Sequence, residues 1–245
     1  MREPILQALI KLFALIIDVH DNAGISSKGK DVVRLFLSRH LDNESVTRYM
    51  KIFDEYLAEY HSENITRGSI QDRKRTSLTS MRILAICEKI NEELHQKQKL
   101  YVLIQLIDFI LFSGEISENE LDFLETVSTS FYIQQTEYQN IRSFILSTVN
   151  DVAEKNRVMI IDKKEISDFK EVKHLLKENL NGSIFLLYIE SANTYIFRYS
   201  GEENLFLNGQ HIFPEQTYTF EYGSTIRGSA IGKIYYNDVN TVFTE

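Results

Sequence analysis

The sequence predicts an α+β chain, with an all-helical first part and a mainly β second part. Three observations carry this expectation. Apolar residues recur at helical spacing up to about residue 150, over a stretch whose one proline is Pro4. From about residue 157 the period shortens to two, as in strands. A turn pattern also occurs twice. Ile16-Ile17-Asp18 leads to Gly24-Ile25-Ser26, and Leu106-Ile107-Asp108 leads to Gly114-Glu115-Ile116-Ser117. The duplication implies two similar helical hairpins packed face to face, a pseudo-duplicated bundle.

About seven helices are expected. Pro4 suits a first helical turn, where its missing N–H is no loss. The apolar spacings are Leu9-Leu12-Phe13-Ile16, Val32-Val33-Phe36-Leu37, Met50-Phe53-Leu57 and Ile83-Leu84-Cys87-Ile90-Leu94. Leu100-Leu103-Ile104-Ile107-Leu111, Leu121-Leu124-Val127-Phe131 and Ile141-Phe144-Ile145 complete the series. Ser117-Glu118-Asn119-Glu120 reads as a capping box. The first and fifth helices are apolar on most sides and are expected at the centre.

Val158-Met159-Ile160-Ile161 then reads as a short strand, followed by a helical piece from about Phe169 to Asn179. Ile184 to Ile189 is apolar on both faces, which suits a central strand. Tyr195, Phe197 and Tyr199 alternate with polar neighbours, as in a strand with one wet face. Leu205 to Ile212 reads as a hairpin about Asn208-Gly209, since Asn-Gly accepts the positive φ of a type I′ turn. Tyr218-Phe220-Tyr222 and Ile234-Tyr235-Tyr236 are the last strand candidates. The tail Phe243-Thr244-Glu245 shows no closing element, and the natural chain is expected to continue. The expected division is a helical bundle over 1–152, a connecting strand and helix over 153–180, and a small β domain over 181–245.

Composition narrows the function classes. A net charge of −8 and a pI near 5.4 argue against nucleic acid as the main partner. One cysteine, Cys87, excludes an internal disulfide, fits a reducing compartment and reads as helix core. Ile5 to Ile17 is apolar but shorter than the ~20 residues a membrane span needs, so no membrane insertion is expected. A cytoplasmic place follows, at the inner membrane face if a parent protein carries it there.

The chemistry-bearing patterns are sparse. Asp18, Asp21, Asp108 and Glu115 could share a hard divalent cation if the two hairpins bring them together; helix-terminal capping is the alternative. The first turn fails as an EF-hand loop: counting from Asp18, the third position is His20 and the sixth is Ala23. Arg73-Lys74-Arg75, just before Thr76-Ser77, is the one dense basic cluster and the best anion or partner contact; a solvated loop is the alternative. In the β part the loop candidates are Asn208 and Arg227. Gly223-Ser224-Thr225-Ile226-Arg227-Gly228 has the spacing of a phosphate loop. Ser229 and Ala230 stand where Lys and a hydroxyl residue must follow, so these glycines read as turns. The six histidines are scattered, and neither a nucleophile–base set nor paired zinc spacing occurs. No catalysis is expected of this chain.

The helical part resembles the tellurite-resistance TerB-like family over about the first 150 residues. Leu15-Ile16-Ile17-Asp18 through Ala23-Gly24-Ile25-Ser26, and Ser113-Gly114-Glu115-Ile116-Ser117-Glu118-Asn119-Glu120, carry the resemblance. Phe131 to Tyr138 matches its second capped helix. The resemblance implies an all-helical, pseudo-duplicated fold and a role in metal or acid-stress responses. Ser113 stands where that family's acidic turn has Asp, so metal binding is expected to be absent or weak.

The β part resembles the second half of a forkhead-associated domain. Leu205-Phe206-Leu207-Asn208-Gly209 and Tyr218 through Ile226 carry that likeness, which implies a β-sandwich. The family's Gly-Arg and Ser-x-x-His signatures are not present here, so phosphopeptide binding is not implied. The combination resembles the N-terminal region of large bacterial ABC transporter ATP-binding proteins. Ile86 to Leu94 and Ile234 to Phe243 carry it. It implies a non-catalytic regulatory or interaction region. A downstream ATPase domain in cis, or another protein, would be the partner, and ATP would be held only in that domain. The alternative is a self-contained metal- or stress-responsive helical protein.

Overall fold

The computed structural model describes residues 3–20, 27–65, 72–114, 116–164 and 171–244, with 18–20, 27–28, 60–65 and 72–79 described as backbone alone. The chain divides into two compact units, Met1–Gln135 and Thr136–Glu245.

The first unit is helical. It holds α1 (Glu3–His20), α2 (Ser27–Ser38), α3 (Asn43–Ile65), α4 (Asp72–Glu93), α5 (Gln96–Ser113) and α6 (Glu118–Ser130). α1 packs on α3, α4, α5 and α6. From Leu9 to Ile17 it is buried at every position but Lys11, as its unbroken apolar run requires. α5 is buried at every position from Lys99 to Ile110 but Tyr101. Phe13, Phe36 and Phe109 join α1, α2 and α5, with ring centroids 4.2 to 5.5 Å apart. The capping box forms: the Ser117 N–H donates to Glu120 Oε2 at 2.7 Å, and the Glu120 N–H donates to Ser117 Oγ at 3.3 Å. Asp42 caps α3 by accepting from the Ser45 N–H at 2.9 Å.

The second unit opens with α7 (Gln135–Leu146), which falls inside it from Thr136 onward. The sequence reading placed the division after this helix, near residue 152; the compact units meet before it. Hydrogen bonds hold α7 to the β part. The Ser191 N–H and hydroxyl donate to the Glu137 carboxylate at 3.1 and 2.6 Å. Arg198 donates to the Ile145 carbonyl at 2.8 Å.

Two sheets follow. β1 (Val158–Asp162), β2 (Lys173–Leu176), β3 (Gly182–Ile189), β4 (Thr194–Gly201) and β7 (Tyr218–Phe220) form the first, in the order β2-β1-β3-β4-β7. β5 (Leu205–Leu207), β6 (Gln210–His211), β8 (Thr225–Gly228) and β9 (Gly232–Tyr235) form the second, in the order β6-β5-β8-β9. Among the described residues, only β1 and β2 pair in parallel, and the other pairings are antiparallel. Alternate residues of the two sheets meet in one core: Met159, Ile161, Ile184, Leu186, Tyr195, Phe197, Tyr199 and Phe220 from the first, Leu205, Ile226 and Ile234 from the second. This face-to-face packing makes a sandwich.

The Asn208-Gly209 turn forms as expected, with φ of 50° and 91°. Three readings are corrected. Residues 171–179 of the expected helix are not helical: Lys173–Leu176 is β2, a sheet edge, and the Lys177 N–H donates to the Asp162 carbonyl at 2.7 Å. The face of β4 expected to be wet is exposed only at Ser200: Thr194 and Ile196 are buried and Arg198 reaches back to α7. The tail does form a closing element, α8 (Tyr236–Thr244). Its Val239 is fully buried, and its Phe243 ring lies 5.2 Å from Tyr195 and 5.8 Å from Tyr188.

Candidate functional site

The acidic set does not assemble into a described site. Asp21 and Glu115 lie outside the described residues, and Asp18 is placed by its backbone alone, near the end of α1. Asp108 is not at a turn. It sits inside α5 and is 3 % exposed. The Ser113 hydroxyl donates to the Ile110 carbonyl at 2.8 Å. Of the four acids, Asp108 alone has its side chain described. Among the described residues no three His, Cys, Asp or Glu side chains are grouped to hold one.

The basic cluster also differs from its expected place. α4 begins at Asp72, so Arg73, Lys74 and Arg75 lie in its first turn and not in a loop ahead of it. Cations there face the positive end of the helix dipole. An anion at that N-terminus would meet the backbone N–H groups of the same turn.

Two other titratable groups are set by burial. Burial in α4 pushes the Cys87 thiol up to about 12, which makes it packing and not a nucleophile. Burial first, and then the charge of Arg39, lower His40 to about 4. Among the described residues no helix is long and apolar enough to cross a membrane.

The β loop candidates separate into a structural residue and a surface residue. Asn208 holds the hairpin against β8. Its Oδ1 accepts from the Thr225 N–H at 2.9 Å, its Nδ2 donates to Ser224 Oγ at 3.3 Å, and its own N–H donates to the Thr225 carbonyl at 3.0 Å. This amide is committed to the fold. Arg227 is exposed, on the face of the second sheet that points away from the core.

Register builds that outer face. His211 pairs with Phe206, Phe206 with Arg227, and Arg227 with Lys233, one residue from each of the four strands. Side chains on one face of directly paired strands are neighbours. The Arg227 guanidinium lies 5.7 Å from the Phe206 ring centroid, within cation–π range. The Phe206 and His211 rings are 5.6 Å apart, edge to face, and Phe213 continues the row at 4.8 Å from His211. Phe213 is 52 % exposed and Tyr235, one pleat from Lys233 at the end of β9, is 48 % exposed. Arg227 and Lys233 are exposed too.

Positive charge continues around the β9 edge. Lys177 Nζ donates to the Lys233 carbonyl at 3.5 Å. The Lys177 N–H is bonded to Asp162, whose neighbour Lys163 donates through Nζ to Asn181 Oδ1 at 3.0 Å. Arg227 and Lys233 are cross-strand neighbours, Lys177 reaches the β9 edge at Lys233, and Lys163 stands beside Lys177 one step past the paired ends of β1 and β2, so the four cations make a strip on the second unit. Sequence reasoning reached Arg227 alone. The other members lie far apart in the chain, and only the pairing of β8 with β9 and the bond from Lys177 to β9 bring them together.

No family model, curated protein or solved structure matches the chain.

Proposed function

We propose that the chain is a non-catalytic regulatory and interaction region. It would act on a nucleotide-driven machine as the N-terminal part of an ABC transporter ATP-binding protein whose ATPase domain lies beyond residue 245. The observation that carries the interaction reading is the exposed outer face of the second sheet, where Phe206, Arg227, Lys233 and Tyr235 stand on strands whose opposite side is packed core. Exposed aromatic and arginine side chains on a rigid scaffold are the residue types that dominate protein interfaces. The link to an ATPase rests on the sequence resemblances to a TerB-like bundle and a forkhead-associated-like sandwich. On this reading the chain works at the cytoplasmic side, without a cofactor of its own.

The test has two parts. The natural reading frame past Glu245 is read for Gly-x-x-x-x-Gly-Lys-Ser/Thr, which the proposal requires. The ATPase rate of the parent is then measured with and without residues 1–245; a changed rate is expected. A frame that ends without a phosphate loop overturns the ATPase part of the proposal.

A further inference from the structure

The strip on the second unit has a shape that selects among anionic ligands. Its four cations do not converge on a point. Arg227 and Lys233 sit on neighbouring strands, which are about 4.8 Å apart. Lys177 reaches the β9 edge at the Lys233 carbonyl, and Lys163 follows Asp162 where β1 pairs with β2, beside Lys177. A single small anion could touch only one or two of them. An extended chain can run along such a row and meet its members in turn.

The acidic groups beside the strip are largely engaged. Asp162 accepts from the Lys164 N–H at 3.0 Å and from His174 Nε2 at 2.9 Å. Glu203 accepts from the Asn181 N–H at 2.9 Å, and Asp238 from the Tyr235 N–H at 2.8 Å. Glu178 stands beside Lys177 at one end. The aromatic residues gather at the other end, where Phe206, His211 and Phe213 form their row.

We propose that this strip, Arg227-Lys233-Lys177-Lys163 with the Phe206–Phe213 row at its end, binds an extended acidic peptide segment. Alternate carboxylates of the peptide pair with the cations, and one apolar side chain rests on Phe206 and Phe213. The proposal deepens the interaction reading above and rests on it. A peptide is favoured over a polynucleotide by charge. The chain carries −8 overall, and that field repels a polynucleotide, charged at every unit, more than a short peptide charged at alternate residues.

The probe is an acetylated octapeptide alternating glutamate with serine and ending in leucine, titrated into the full chain by calorimetry at low salt. Binding with a dissociation constant of about tens to hundreds of micromolar is expected, as suits a short flexible ligand. Arg227→Glu with Lys233→Glu is expected to weaken it at least about tenfold, as juxtaposed like charges do at an interface. Lys89→Glu, on α4, is expected to leave it unchanged. Raising the salt is expected to weaken binding to the wild type, because exposed charges are screened. A thermal melt of each variant controls for folding, and Lys233→Arg is expected to bind like wild type.

Three outcomes overturn the proposal: no heat with the acidic peptide, equal binding to the charge-reversed variant, or tighter binding of an oligothymidine of equal length or of phosphatidylserine vesicles. The frame beyond Glu245 is read independently. Peptide binding without a downstream phosphate loop upholds this site and removes only the ATPase link.

Discussion

The guanidinium of Arg198, on β4, donates to the carbonyl oxygen of Ile145 in the last turn of α7, 2.8 Å away. The last carbonyls of a helix have no partner within it, and they form the negative end of its dipole. Arg198 therefore caps α7 from the sheet, while its Nη2 donates to Glu215 at 2.9 Å. Replacing it with Met should destabilise the second unit by roughly 1.5–3 kcal/mol, the range for hydrogen bonds to a charged group. Chemical denaturation of the two proteins measures this; a midpoint unchanged by Arg198→Met would show that the cap is incidental.

The minimal folding span of the second unit follows from the same bond. Residues 136–245 should give a cooperative melt and strand-type circular dichroism. Residues 153–245 should not, because Ile160, Leu187 and Ile196, buried on the face that carries Arg198, would lose a cover. Equal cooperativity of the two fragments would return the boundary to the region of residue 152.

Asn208 combines a left-handed φ of 50° with two side-chain bonds to the β7–β8 turn. Asn208→Ala loses both bonds and keeps an unfavourable φ, so a loss of about 2 kcal/mol is expected. Asn208→Gly relieves the φ and should lose less. The order of the melting temperatures checks this, with wild type above Gly above Ala.

His40 gives the first unit an acid dependence. Its folded value is lowered to about 4 from the usual 6.5, so between those values the unfolded chain holds the extra proton. That contribution to stability is complete above about pH 6.5 and is lost as the pH falls toward 4. Unfolding free energies across this window should fall by about 1–3 kcal/mol from this residue, and His40→Gln should flatten that slope. An identical slope in the variant would assign the acid response to other groups.

The buried Cys87 should resist Ellman's reagent in the native protein at pH 8 and react at once in denaturant. Rapid native labelling would mean that α4 opens readily.

The helices were legible because each carries an apolar stripe at the 3.6-residue period, and the capping box because its two members are three residues apart. What failed depended on distant covers. Arg198 read as solvent-facing, yet it reaches the last turn of α7. Val172, Leu175 and Leu176 have helical spacing, but Lys173–Leu176 pairs with β1. α8 was missed because Asn237, Asp238, Asn240 and Thr241 mask the stripe of Tyr236, Val239 and Phe243. Of the candidate site, Arg227 was visible as a single cation; its row depends on strand register, which the local pattern did not reveal. The acids and the basic cluster were visible as composition, but where each element starts and ends decided their surroundings.

The membership of α7 in the second unit has a consequence for synthesis. Helical bundles rich in local contacts form quickly, while sheets that join distant segments form slowly. The ribosome releases α7 well before β3 and β4, so Ile141, Phe144 and Ile145 emerge with their sheet still unmade. For those seconds the nascent chain displays an apolar helix that its own unit does not yet cover. That interval is when a chaperone has a target and when a stalled or truncated chain would aggregate.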